Sequence, residues 1–351
     1  MDLVSTPDNP VPPGAVVTPV GAADGVVLRV ARWLGTGTAR GTVCVFTGRG
    51  EFIEKYFEAI GELVARDFAV VAMDWRGQGL SGRPLANARK GHIDDFSLFE
   101  RDIDALTRQV LEFLCPRPWF GLGHSMGGAI LLSQAQAGTS PFERIVVSAP
   151  MIDLHGLRFP GAARAVAEVA DIIGLGSAYV PGGRSASAMS APFEGNVLTS
   201  DARRYARNAA IVAAAPQLAI GDPTIGWVNA AFRVMASFAD PDLPHRAFTP
   251  VLAFSAGDDR VVSTPAIHRY MAGLKTSLVV PLAGAQHEIL QERDTIREQF
   301  WAAFDAFIPG HREEDAELAS TLAARRAAAE ARAARSWLRR LSPARRRASA
   351  G

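Results

Sequence analysis

The sequence predicts an α/β fold, a mostly parallel central sheet flanked by helices, with a helical insertion late in the chain. Three observations carry this. Compact β-rich apolar runs, the kind buried on both faces of a parallel sheet, recur at 42–46, 68–73, 144–148, 251–255 and 277–281. Stretches with helical spacing separate most of them, the alternation expected of a sheet covered by helices. Between 151 and 247 the strand runs vanish and only helical candidates remain, after which sheet-type sequence resumes. The 351 residues allow one large α/β domain or two smaller ones, and 48% hydrophobic with 21% charged residues suits a full core.

Taken in order, residues 1–24 are Pro-rich at the start and read as irregular. The core opens at about 25 with Val26–Trp33, a partly alternating pattern that predicts an early, antiparallel strand. Thr42–Phe46 is a buried strand running into Thr47-Gly-Arg-Gly-Glu51, and 54–65 has helical spacing through Tyr56, Ile60, Leu63 and Val64. The next strand, Phe68–Met73, ends in the Gly-rich turn Asp74-Trp-Arg-Gly-Gln-Gly-Leu-Ser-Gly82. That turn lacks the Lys-Ser/Thr ending of a phosphate-cradling loop and reads as a structural turn beside the pocket. A long helix is predicted over 96–114, with Ile103, Leu106, Val110 and Leu114 on one face.

An aromatic–apolar run at Pro118–Phe120 then leads into Gly121-Leu-Gly-His-Ser-Met-Gly-Gly128 and an Ala-rich helical run, so strand, tight turn and helix follow directly. Arg144–Ser148 closes the first half of the core at 150. The 151–247 segment is expected to be a helical cap, with helices near 161–174 (Val166, Val169, Ala170, Ile173), 201–215 and 226–239 (Trp227, Ala231, Met235, Phe238). Its inner face is expected to line an acyl or alcohol pocket, with Trp227, Met235 and Phe238 contributing; the plainer reading is that these faces only pack. The core resumes over 248–310, ending in a helix at 291–307 with Ile296, Phe300, Phe304 and Phe307.

Gly123-His-Ser-Met-Gly127 fits G-x-S-x-G, a turn that holds a serine in a strained conformation at a helix N-terminus. A serine hydroxyl is a weak nucleophile near neutral pH and needs a base, itself oriented by an acid. The chain order Ser125, Asp258 or Asp259, His287 supplies both, each after a predicted strand at the sheet edge where such sites form. Asp259, further past its strand and next to Arg260, is preferred over Asp258, with Asp153 as the outside candidate. His287 lies in the loop before the last helix. His124 competes, but a residue beside the nucleophile points elsewhere, and His92, His155, His245, His268 and His311 have no comparable setting. The amides of Met126 and Arg49 are the expected oxyanion donors, the second because Gly48-Arg-Gly50 lets the backbone approach closely. The Arg49 side chain is either a plain surface cation or a contact for an anionic head group.

Charge and cysteine usage narrow the remaining classes. Net charge is +1, which gives no global steering toward nucleic acid. Residues 311–351 hold ten Arg against five acidic residues, a balance of +5, which leaves −4 for the rest. This Ala/Arg/Glu-rich tail is expected to be helical to about Leu341 and frayed beyond. It suits a solvated helix, or a weak interfacial anchor through Trp337, Leu338 and Leu341 beside Arg345–Arg347. Cys44 and Cys115 read as free thiols, with no disulfide framework or metal site expected. There is neither a signal-peptide pattern nor a run of about 20 apolar residues, so a cytoplasmic protein, peripheral to the inner membrane surface if the tail engages it, is the expectation.

Thr47–Tyr56, Asp74–Arg83, Gly123–Gly128, Gly257-Asp-Asp-Arg-Val-Val262 and Gly284-Ala-Gln-His-Glu-Ile-Leu290 together resemble, in this order, the bacterial lysophospholipase L2-like proteins, grouped with the monoacylglycerol lipases. The resemblance spans about residues 25–308. It implies an α/β-hydrolase fold with a cap, Ser125, Asp259 and His287 as nucleophile, acid and base, Arg49 and Met126 as oxyanion donors, and no cofactor. It also implies a lipid ester substrate with a single acyl chain. A carboxylesterase or thioesterase for smaller acyl groups, or a non-catalytic binding protein on the same fold, are the alternatives. Thr47 stands where many relatives have His, and the tail lies outside the resemblance.

Overall fold

The computed structural model describes residues 1–35, 39–240 and 247–309. The tail expected at 311–351 lies outside them.

Eight strands form one sheet: β1 (Val16–Gly21), β2 (Val27–Trp33), β3 (Thr42–Phe46), β4 (Ala69–Met73), β5 (Trp119–His124), β6 (Arg144–Ser148), β7 (Val251–Ala256) and β8 (Ser277–Leu282). Their order is β1-β2-β4-β3-β5-β6-β7-β8. The two β2 pairings are antiparallel and all others parallel. The five residues of β3 and of β4 are buried throughout, as strands covered on both faces must be. β1 corrects the expectation of an irregular N-terminal segment. It is an edge strand, where Pro19 opposite Arg29 is tolerated because one side of the strand has no ladder to complete.

The helices are α1 (Phe57–Val64), α2 (Ser97–Leu106), which runs on through a π-turn at Thr107–Leu111 into α3 (Glu112–Leu114), α4 (Met126–Ala137), α5 (Pro160–Ala170), α6 (Ala202–Ala214), α7 (Ile225–Phe238), α8 (Thr264–Gly273) and α9 (Asp294–Phe307). α9 packs onto the sheet through Phe300, 4.3 Å from the Phe254 ring, and Phe304, 6.1 Å from Phe68. Cys44 is buried, Cys115 half-buried, and both are free. Among the described residues no helix is long and apolar enough to cross a membrane.

Between β6 and β7 the described residues carry α5, α6, α7 and short 3-10 turns, with no strand of the sheet. α6 is fastened to the core. Arg204 donates to Glu58 of α1 at 2.6 Å and to Asp294 of α9 at 2.6 Å, and Arg207 reaches Glu58 at 2.7 Å. α5 departs from expectation. Val166, Val169 and Ile173 form no inner face; with Phe159 and Ile172 they are all more than half exposed, and only Ala167 of α5 is buried. Helical spacing identifies a face but not the side it turns to.

Parallel strands bring their C-terminal ends to one edge. Phe46 of β3 pairs with Gly123, His124 of β5 with Ser148, and Ala256 of β7 with Leu282. The loops after β3, β5, β7 and β8 therefore converge, at the edge where ligand sites of parallel sheets form.

Candidate active site

Ser125 joins β5 to α4 with φ 49° and ψ −112°, a conformation costly for a non-glycine residue. Two hydrogen bonds hold it: its N–H donates to Ser148 O at 3.0 Å, and the Met151 N–H donates to Ser125 O at 3.0 Å. The flanking glycines are steric necessities. A Cβ on Gly123 would stand 2.8 Å from the Gly128 nitrogen, and one on Gly127 would stand 2.4 Å from the Phe46 oxygen. Strand and helix can approach this closely only with glycine at both places.

The loop after β8 carries His287 to the serine. Ser125 Oγ lies 3.0 Å from His287 Nε2, and His287 Nδ1 lies 2.9 Å from Asp259 Oδ2. All three residues are buried. Asp259 also accepts from the amides of Val261 at 2.8 Å and Val262 at 2.9 Å. Burial opposes its charge, but the His287 contact and the two amides outweigh burial and hold the carboxyl below its ordinary range. Asp258 is exposed, and Asp153 lines a different cavity. His124 lies against His287 with centroids 4.8 Å apart and the rings tilted by 55°, but its Nδ1 bonds the Ser148 carbonyl at 3.1 Å. Burial pulls His124 down to about 4 and leaves it neutral at physiological pH.

The loop after β3 is braced from three sides. Trp75 Nε1 donates to Thr47 O at 2.9 Å, while Gln78 donates to Gly48 O at 2.8 Å and accepts from the Gly50 N–H at 3.1 Å. The Asp74–Gly82 turn thus supports this loop. Glu51 accepts from Gly48 N–H, from Tyr56 Oη at 2.6 Å and from Lys55 Nζ at 2.6 Å. Lys55 also reaches Glu288, the neighbour of His287, at 2.6 Å. One buried cation therefore ties the β3 loop to the histidine loop. Burial works against both carboxylates. Lys55 overcomes it at Glu51, which is held low, while at Glu288 burial and the Glu51 charge prevail and raise it. The amides of Arg49 and Met126 carry no hydrogen bond among the described residues and belong to the two loops that meet at Ser125.

A cavity of about 340 Å³ opens over Ser125 and His287. Arg49, Trp227, and also Met189, Leu198, Ile220 and Asp222 of the β6–β7 insertion, line it. Of the three expected pocket residues only Trp227 is there. Met235 and Phe238 are buried along another cavity, with Ile152, Arg164 and Tyr270. The reason is helical rise: Met235 lies eight residues beyond Trp227, about 12 Å along α7. Met189, Leu198, Ile220 and Asp222 were not legible because they sit in irregular segments without periodicity. Glu51 and Lys55, four residues apart, and Glu288 beside His287 carried a signal in their spacing.

A mostly parallel α/β sheet with a strained serine after one strand and a buried Ser–His–Asp chain across its C-terminal edge defines the α/β-hydrolase class. The chain belongs to the family described as serine aminopeptidase, S33, whose pattern matches residues 37–294. It is 34% identical over 272 residues to lysophospholipase L2 of Escherichia coli (strain K12), covering 73% of this chain and 76% of that protein. It is 32% identical over 130 residues to the monoglyceride lipase of Homo sapiens, covering 37% and 41%. A soluble variant of monoglyceride lipase from Saccharomyces cerevisiae superposes with a TM-score of 0.66 at 18% identity, over 84% of this chain and 95% of that one, a likeness of fold alone.

Proposed function

We propose that the chain hydrolyses carboxylic esters of single-chain lipids, as a lysophospholipase or monoacylglycerol lipase, through an acyl-enzyme. The observation that carries this reading is the buried Ser125–His287–Asp259 chain, with links of 3.0 and 2.9 Å, at the floor of a cavity roofed by the insertion. Ser125 Oγ attacks the ester carbonyl as His287 Nε2 takes its proton. Asp259 holds the Nδ1–H and stabilises the imidazolium. The amides of Arg49 and Met126 donate to the oxyanion. His287 then protonates the departing alcohol, and a water deprotonated by His287 cleaves the acyl-enzyme. The segment 151–247 acts as a cap, and its apolar lining residues Met189, Leu198, Ile220 and Trp227 receive the acyl chain.

The likeness to lysophospholipase L2 over most of both chains supports the lipid ester over a smaller acyl substrate. The test is fluorophosphonate labelling at Ser125, followed by turnover of lysophospholipids, monoacylglycerols and p-nitrophenyl esters of graded chain length. Labelling with turnover of acetate esters alone would make the protein a carboxylesterase, and no labelling would leave a binding protein. Peripheral membrane contact by the basic tail is a separate proposal, resting on Trp337, Leu338, Leu341 and Arg345–Arg347. Anionic liposomes should sediment the full chain but not a chain ending at Pro309; equal sedimentation would end it.

A further inference from the structure

The buried arginines of this fold are paired with carboxylates. Arg29 reaches Glu54 and Asp74, Arg76 reaches Asp24 and Asp102, and Arg204 reaches Glu58, Asp201 and Asp294. Arg49 is different. Its Nη2 donates to the Gly221 carbonyl at 3.0 Å, and its guanidinium lies 5.0 Å over the Trp227 ring. No carboxylate among the described residues pairs with it, and its buried Nε has no hydrogen-bond partner. Burial draws the guanidinium down to about 10, only partly offset by the charge of Asp222, and it remains a cation at neutral pH. Gly221, Trp227 and Arg49 all line the cavity that holds Ser125.

A guanidinium whose Nε finds no acceptor within the protein, held over an aromatic ring and short of counter-charge, is matched by a phosphate or carboxylate that accepts charge-assisted hydrogen bonds. Asp222 lies on the same cavity wall, and its described contact is the Arg184 amide at 2.7 Å. The cavity thus presents a cation and, beyond ion-pairing reach of it, an anion. We propose that Arg49 and Asp222 form a head-group subsite, Arg49 taking the phosphodiester of a single-chain glycerophospholipid and Asp222 its cationic amine. This rests on the reading of Ser125 as the nucleophile for a lipid ester. Three glycerol carbons separate the ester oxygen from the phosphate oxygen of such a lipid. One residue can therefore serve both ends, its amide toward the oxyanion and its side chain toward the phosphate.

The experiment compares lysophosphatidylethanolamine, lysophosphatidylglycerol and monoacylglycerol of equal acyl chain, with wild type, Arg49→Gln and Asp222→Asn. Because the Arg49 amide sits in the proposed oxyanion loop, ratios are read rather than absolute rates. Arg49→Gln should lower kcat/KM for both phospholipids relative to monoacylglycerol by about ten- to a hundredfold, the range of a charge-assisted hydrogen bond. Asp222→Asn should lower the ethanolamine lipid relative to the glycerol lipid by about tenfold, while Arg49→Lys should retain part of the phospholipid preference. Equal losses on all three lipids would overturn the subsite and leave Arg49 a loop residue. A second readout uses inhibition of p-nitrophenyl acetate hydrolysis by glycerophosphoethanolamine, which wild type should show and Arg49→Gln should weaken. Inorganic phosphate inhibiting as strongly would make this a plain anion site and overturn the head-group assignment. Turnover of none of the lipids, with inhibition by glycerophosphoethanolamine intact, would overturn the lipid-ester reading while the subsite stood.

Discussion

The floor and the roof of the cavity are built on different principles. On the floor, nearly every polar group is committed to a partner. Glu51, Lys55 and Glu288 form a closed buried set, Gln78 and Trp75 hold the β3 loop, and Asp259 fills its acceptors with His287 and two amides. On the roof, the lining comes from irregular segments around Met189, Leu198 and Ile220, and α5 turns its apolar side chains outward. Transition-state stabilisation needs donors fixed before the reaction begins, because reorganising them during the reaction costs rate. Accommodating a long flexible chain needs only apolar surface of suitable extent. The contrast yields predictions that grade from floor to roof.

The largest effect belongs to Ser125, the proposed nucleophile. Ser125→Ala should lower kcat by about 10⁴–10⁶-fold and abolish fluorophosphonate labelling, with the thermal midpoint preserved. Retention of more than a few per cent of ester hydrolysis by a pure sample would remove Ser125 from the mechanism. Asp259→Asn should cripple turnover where Asp258→Asn does not, since Asp258 is exposed and away from His287.

Lys55 tests whether the floor is a unit. Lys55→Met strands two buried carboxylates, for a cost of about 3–5 kcal/mol in thermal or denaturant unfolding. It should also lower kcat by about 10²-fold through misplacement of the β3 loop. Adding Glu288→Gln should return part of the stability, because it removes one stranded charge. If the double variant is no more stable than Lys55→Met, the three residues do not share one charge balance.

These floor residues also mark what a single sequence can disclose. The strands β3 and β4 are legible because four and five consecutive apolar residues have no other economical fate in a chain of this composition. Ser125 is legible because two glycines at fixed offsets are needed for strand and helix to meet, and His287 because it follows the last strand in the right order. The rest depends on facts that periodicity does not contain. Val166 and Val169 share a helical face, yet nothing local says that the face turns outward. Asp222 and Ile220 reach the cavity from a segment with no repeat to read. β1 hides behind Pro19, which an edge position excuses. Thr47 is buried with its hydroxyl unpartnered, and what holds it is the Trp75 bond to its backbone carbonyl, which no side-chain pattern announces.

On the roof the effects should be smaller and should depend on substrate. Trp227→Ala removes a cavity wall, so KM should rise about tenfold for long acyl esters and less for acetate, with kcat little changed. Met235→Ala and Phe238→Ala fall on residues buried away from Ser125 and should cost about 2–5 kcal/mol of stability with no chain-length dependence. A chain-length effect from Met235→Ala would mean that the two cavities join when substrate binds.

The last effect falls on stability alone, at the attachment of α6 to the core, and it has a pH signature. Glu58 of α1 receives Arg204 and Arg207 from α6, with Arg297 of α9 nearby at 3.7 Å. Burial opposes its charge, but these arginines prevail and lower the carboxyl from 4.5 to about 2. A carboxylate whose pKa is lower in the folded state adds stability that is fully present above 4.5 and is lost as pH falls toward 2. Arg204 keeps Asp201 and Asp294 when Glu58 is neutralised, so the loss is that of hydrogen bonds to a charged group and not of a whole ion cluster. Glu58→Gln should therefore cost about 1.5–3 kcal/mol at pH 7. The difference from wild type should shrink between pH 4.5 and 2 and vanish below, since both proteins then carry a neutral group at this position. Asp24, Asp95, Asp259 and Asp294 are also held low and contribute to acid unfolding of both proteins, which is why the difference, and not the wild-type curve, is the measurement. A difference that stays constant to pH 2 would show that Glu58 acts through packing alone, and that the attachment of α6 to the core does not depend on its charge.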